Sequence, residues 1–185
     1  MRLKHTIMLA AIAVICLVSW EAMQAHGQPR PMPVQSSEHF HVSILGKKQG
    51  QFKGEGIQTA RMDKWIPGQR FYSQADQAGG KKTHSPITFT KEWGAASPQI
   101  YAALATNEPL SSVVFEFTKT NPSGMEYVYQ TITLTNATIV SVKQYIGVSV
   151  GGDPPDTRPL EDVSFVFQKI DIENKDGKTM AMDMW

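Results

Sequence analysis

Cysteine is almost missing: Cys16 is the only one in a chain of 185 residues. A lone thiol closes no internal disulfide and builds no thiolate metal site. An excess of charge is missing too, since 18 Lys plus Arg face 17 Asp plus Glu for a formal net charge of +1. Binding to nucleic acid draws on surplus cations that neutralise phosphates, so no DNA or RNA partner is expected. Glycine (14) and proline (11) are scattered instead of clustered, which excludes collagen-like and low-complexity chains. With 41% apolar residues, one core of ordinary size is the expectation.

An apolar run long enough to cross a bilayer is the next absence. The longest, Ile7 to Val18, has 12 residues, against about 20 for a spanning helix. It follows a short basic start (Arg2, Lys4, His5) and precedes Ala25-His26-Gly27, whose small residues occupy the positions a signal peptidase reads. Residues 1–27 therefore read as an export signal, with a cut after Ala25 as the neighbouring choice. Cys16 lies in mid-run behind Ile15, which is not the setting of a lipid-acceptor cysteine. Removal would leave 16 basic and 16 acidic residues and no cysteine. Residues 28–38, with Pro29, Pro31 and Pro33, form a flexible linker ahead of a domain at 39–185.

What is present is alternation. Phe40, Val42 and Ile44 recur at every second position, as do Val113, Phe115 and Phe117, and again Val163, Phe165 and Phe167. Ile87 with Phe89, a fifth run with Val128, Ile132 and Leu134 on one face, a sixth led by Val140 and Val142, and a weaker run from Ile57 to Trp65 complete the set. Period-2 runs broken by Gly, Pro, Asn and Asp indicate a mainly β chain closing as a small β-barrel or two-sheet sandwich. One short flanking α-helix is expected after Ser97, a fitting N-cap, with Pro98 at the first helical position. Ile100, Tyr101 and Leu104 would share its docking face, and Asn107 and Pro109 would end it.

The residues offer little for catalysis. Asn121-Pro122-Ser123-Gly124 lacks the frame that exposes a nucleophilic serine and reads as a turn. Gly79-Gly80-Lys81-Lys82-Thr83 lacks the spacing of a phosphate loop. His39 and His41 share a strand face, but two imidazoles with no third ligand at short spacing are too few for a metal. Gly151 to Asp156 carries two carboxylates, where a calcium ion takes six or more oxygens, and reads as a rigid turn. Glu161 and Asp162, as strand neighbours, point to opposite faces and cannot act as an acid–base pair. An enzyme would need distant groups brought together, for example His84 near Asp153 or Glu161. No catalytic residue, metal or cofactor is expected.

A family resemblance enters through ordered segments. SPITFTKEWGAASP (Ser85 to Pro98), running into Ile100-Tyr101-Ala102-Ala103-Leu104, resembles the TKE…SP core of the haemolysin-coregulated (Hcp) proteins, tube subunits of bacterial type VI secretion. FEFTKTNPSGMEYVY (Phe115 to Tyr129) resembles the family's central hairpin, LEDVSFVFQKI (Leu160 to Ile170) its late strand, and ENKDGKTMAMDMW (Glu173 to Trp185) its ending. The likeness covers Phe40 to Trp185, with Arg61 to Tyr72 departing from it. It implies a non-catalytic subunit that assembles into homo-hexameric rings, rings that stack into a tube, and a lumen that carries small effector proteins.

The family's projecting loop, which helps rings stack, would correspond to Gln74 through Thr83, with Asp76, Lys81 and Lys82 as contact residues. Tube subunits usually need no export signal. Either the start codon is set too early, or this is an exported relative placed in the bacterial periplasm or outside the cell, with no membrane contact after cleavage. The competing expectation from the residues alone is an exported, monomeric β-sandwich binding module that keeps the fold without the ring.

Overall fold

The computed structural model describes residues 39–55, 64–147 and 157–184. The expected signal, the linker, most of the Ile57 to Trp65 run and the Gly151 to Asp156 turn lie outside them. In chain order the described elements begin β1 (His39–Gly46), β2 (Gly50–Gln51), β3 (Ile66–Gly68), β4 (Arg70–Tyr72), β5 (Ala75–Ala78), β6 (Lys81–His84) and β7 (Ile87–Glu92). The helix α1 (Ser97–Ala105) follows, then β8 (Leu110–Thr120), β9 (Glu126–Tyr145), β10 (Leu160–Val166), β11 (Lys169–Asn174) and β12 (Thr179–Met184).

Every pairing is antiparallel. One sheet carries β12, β11, β9, β8 and β1 side by side, with β2 and β3 on the outer edge of β1. The second runs β9, β10, β7, β4. β9 belongs to both: its first half lies between β8 and β11, and from Thr138 onward it pairs with β10. On the other side the chain passes from β3 on β1 to β4 on β7 through Gln69, whose N–H donates to the Thr90 carbonyl at 2.8 Å. Gly68 makes that passage fit, because a methyl group there would stand 1.9 Å from the Phe40 ring. The hydrogen-bonded path does not close on itself, so the fold is a barrel-like two-sheet sandwich.

The alternating residues fill the space between the sheets. Val42, Ile44, Val113, Phe115, Leu134, Phe89, Val163 and Phe165 have no exposed surface. Two expectations need correction. The fifth and sixth runs are one strand of 20 residues, because Asn136 continues the ladder in the left-handed region (φ 48°), a conformation Asn tolerates better than most. A bulge then leaves Val140 without a partner between the pairs Ile139–Phe165 and Ser141–Ser164. The bulge shifts the alternation, so Ile139 is buried and Val140 is exposed.

The helix docks with Ile100 and Ala103 buried and Leu104 against the core, but Tyr101 faces solvent at 61% exposure. One helical step of about 100° carries Tyr101 off the stripe that its neighbour occupies. Ser97 also departs from its expected role. The N-cap is Ala96 with no side-chain cap, because the Ser97 hydroxyl donates to the interior Glu161 carboxylate at 2.7 Å.

Glu108, 2% exposed, closes the β1–β2 turn. Its Oε1 accepts the N–H groups of Lys48 (2.7 Å) and Gln49 (2.8 Å), and its Oε2 accepts the Gln49 side-chain amide at 3.0 Å. Burial opposes ionisation, but the hydrogen bonds from Gln49 and Lys48 outweigh it and hold the carboxyl below its usual value. A carboxyl lowered in this way stabilises the fold fully above its unfolded pKa, and that contribution is lost as pH falls through the folded value. Glu108→Gln is therefore expected to lose about 1.5–3 kcal/mol at neutral pH. The deficit relative to the wild type should shrink as pH drops below the ordinary glutamate value, which urea denaturation across that range would measure.

Candidate self-assembly surface

β5 and β6 form a two-stranded hairpin that shares no backbone ladder with either large sheet among the described residues. Gly79 and Gly80 occupy its two-residue turn with φ of 58° and 80°. A tight hairpin turn of this hand requires positive φ at both positions, which glycine adopts without a steric penalty. The Ser85 N–H donates to the Gln74 carbonyl at 3.0 Å and extends the ladder by one step. Every side chain from Ala75 to Thr83 is exposed, and His84 is half-buried.

Alternation divides the hairpin into two faces. Lys82 and His84 share one with their register partners Gln77 and Ala75; Lys81 and Thr83 share the other with Ala78 and Asp76. The first face meets β12. Asp183 accepts the Lys82 ammonium on Oδ1 and contacts His84 Nε2 through Oδ2 at 2.8 Å. His84 also sets its ring edge-on to Phe167, with centroids 5.9 Å apart. The hydrogen bonds from Lys82 and then His84 lower the Asp183 pKa to about 2. Of the three residues expected from the sequence, Asp76 and Lys81 thus lie on the face turned away from β12, and Lys82 binds Asp183 on the face turned toward it. Asp76 accepts the Gln74 side-chain amide at 2.8 Å.

Among the described residues β12 pairs only with β11 and is an edge strand. Met180, Met182 and Met184 are 81%, 62% and 62% exposed and stand on one face of it. Their registers continue across the sheet: Met182, Asp171, Thr133, Val114 and Ser43 lie in one row over five strands. An unpaired edge flanked by exposed apolar side chains is a template for association unless something covers it. No pattern of period 2 announces this strand as part of a core, because its apolar residues face outward.

Besides Glu108, buried charge gathers in one cluster. Lys91 Nζ lies 3.0 Å from Glu55 Oε1 and 3.2 Å from Glu161 Oε1. It also donates to Ser97 Oγ at 3.2 Å, and Gln144 donates to Glu161 Oε2 at 2.9 Å. Asp162 points to the opposite face, as strand geometry requires, and accepts Thr90 Oγ1 at 2.7 Å and the Tyr145 hydroxyl at 3.0 Å. Burial and that carboxylate push the Tyr145 hydroxyl pKa up. His84 meets Asp183, whereas Glu161 belongs to the Lys91 cluster, and Asp153 lies outside the described residues. Among the described residues no three of His, Cys, Asp and Glu gather as a metal site, and no helix is long and apolar enough to cross a membrane.

The described residues thus form a two-sheet β domain with an edge strand and a separate hairpin held to it by Asp183. Residues 47–173 match the family described as "Type VI secretion system effector, Hcp", and the chain belongs to that family. The "Major exported protein" of Pseudomonas aeruginosa is 32% identical over 112 residues, 60% of this chain; the match spans 65% of that relative's length. Among solved structures, "Secreted protein Hcp3 from Pseudomonas aeruginosa" superposes with a TM-score of 0.67 at 27% identity, covering 79% of this chain and 99% of the other. The Hcp1 protein from E. coli EAEC 042 gives 0.66 at 26% identity, covering 80% and 98%.

Proposed function

We propose that this chain is a non-catalytic, exported subunit of a type VI secretion apparatus that assembles with copies of itself into homo-hexameric rings. The rings stack into a tube whose lumen carries small effector proteins. The observation that carries this reading is the β12 edge, unpaired among the described residues, with its three exposed methionines, on a fold that superposes over 79% of this chain and 99% of an Hcp structure. Burying that edge against a neighbouring copy satisfies its unpaired amides and removes apolar surface from water. A formal charge near zero leaves little long-range repulsion between copies. The hairpin, with Asp76 and Lys81 outward, is the contact between successive rings.

Export rests on the segment 1–27, with linker 28–38 and mature chain from about Gln28. Native mass spectrometry of protein recovered from the bacterial periplasm or medium tests both parts at once. The expected result is a six-fold multiple of a protomer that starts near Gln28. A purely monomeric species at high concentration would establish the monomeric binding module instead, and an intact Met1 confined to the cytosol would remove the export step.

A further inference from the structure

We propose that Asp183 is a positioning residue that, through Lys82 and His84, fixes the hairpin so that its Asp76, Ala78, Lys81 and Thr83 face is presented to a second copy of this chain. This rests on the reading of the hairpin as a contact between rings. Among the described residues the hairpin shares no backbone ladder with either large sheet; it joins β4 and β7 at its base, and its contacts with β12 are made by side chains. The Asp183 carboxylate joins two side chains of β6, one on each oxygen, to the last strand of the sandwich. Lys82 and His84 lie two apart and therefore on the same face, and gripping both resists rotation of the hairpin about its long axis as well as its swing. The opposite face then points outward with one acid and one base, Asp76 and Lys81, a pairing that can be matched by another copy offering the same two charges.

The location of the latch links two surfaces. Asp183 alternates with Met182 and Met184 on the open-edge strand, so whatever orders β12 also orders the hairpin. Covering the β12 edge within a ring would hold the latch in place before the next ring arrives. Lateral assembly and stacking would then follow in sequence.

Full-length exported protein carrying Asp183→Asn tests the assignment, with Lys82→Gln as a second variant that breaks the latch from the hairpin side. Hydrogen exchange of residues 75–84 reads hairpin order, native mass spectrometry reads the ring, and sedimentation velocity reads stacking. Both variants are expected to keep the ring, to raise hairpin exchange about tenfold or more with β8 and β9 unchanged, and to lower stacking by a similar factor. Lys81→Glu should lower stacking with hairpin exchange as in the wild type. Wild-type exchange rates in both latch variants, or faster exchange with undiminished stacking, would overturn the positioning role. Wild-type rings that never stack would instead overturn the contact reading, while the exchange data still judge the latch.

Discussion

Replacing Lys91 by methionine is expected to lower folding stability by about 3–5 kcal/mol, the usual loss when one member of a buried ion pair is removed. Lys91 is 1% exposed and Glu161 has no exposed surface. Their contact at 3.2 Å lies within a cluster closed by Glu55, Ser97 and Gln144. Methionine keeps much of the volume of the lysine stem but removes the cation, leaving the Glu161 carboxylate out of water with only two neutral donors. The exchange is not symmetric: replacing both partners, as in Lys91→Met with Glu161→Leu, removes the desolvation penalty along with the attraction. The double variant should therefore be markedly more stable than the single one. Urea denaturation of the four members of that cycle measures both statements. A loss below about 1 kcal/mol in Lys91→Met would mean that water reaches the cluster and screens it as it would a surface pair.

How much of this could be read in advance depends on which way the apolar residues point. Phe40, Val42 and Ile44 on β1, Val113 and Phe115 on β8, and Val163 and Phe165 on β10 alternate inward, and the period-2 pattern finds them because burial imposes it. The Ser97-Pro98 pair locates the helix correctly even though Ser97 turns out to serve Glu161, since proline at the first turn is sufficient for the start. β5 and β6 hold no large apolar side chain and are exposed except for His84, so no alternation exists to be seen. β12 has alternation of the opposite sense, methionine outward and Thr179, Ala181 and Asp183 on the other face, which a search for core positions passes over.

Family resemblance leads to the expectation of a projecting loop at Gln74 to Thr83; the structure has a two-stranded hairpin at Ala75 to His84. What no local pattern carries is the link between Lys82 and Asp183, which are 101 positions apart. Charge alone made Lys82 look equivalent to Lys81, and only strand parity, known once the hairpin register is fixed, puts them on opposite faces. The same holds for the Lys91 cluster. Glu55, Ser97, Gln144 and Glu161 come from four separate segments, and the buried lysine is sequence-adjacent to the exposed Glu92, so the TKE run gives no hint that its two charges have different fates.

Phe115→Ala is the second large effect, with an expected loss of about 3–5 kcal/mol. Phe115 stands on β8 in the first sheet, yet its ring meets Phe71 at 5.1 Å, Phe89 at 5.9 Å and Phe165 at 6.3 Å, all edge-to-face and all from strands of the second sheet. Phe89 and Phe165 are already stacked on each other, so they cannot both tilt into the vacated space without losing that contact. The cavity would then persist, and its volume adds to the lost transfer energy of the ring. Phe115→Leu fills part of the gap and should lose about 1–2 kcal/mol. Phe71→Ala removes a ring that is only half-buried and should lose less than Phe115→Ala does. Thermal and urea unfolding would rank the three variants. If Phe71→Ala proved the more damaging, the passage from β3 to β4, and not the ring cluster between the sheets, would be what holds this side of the sandwich together.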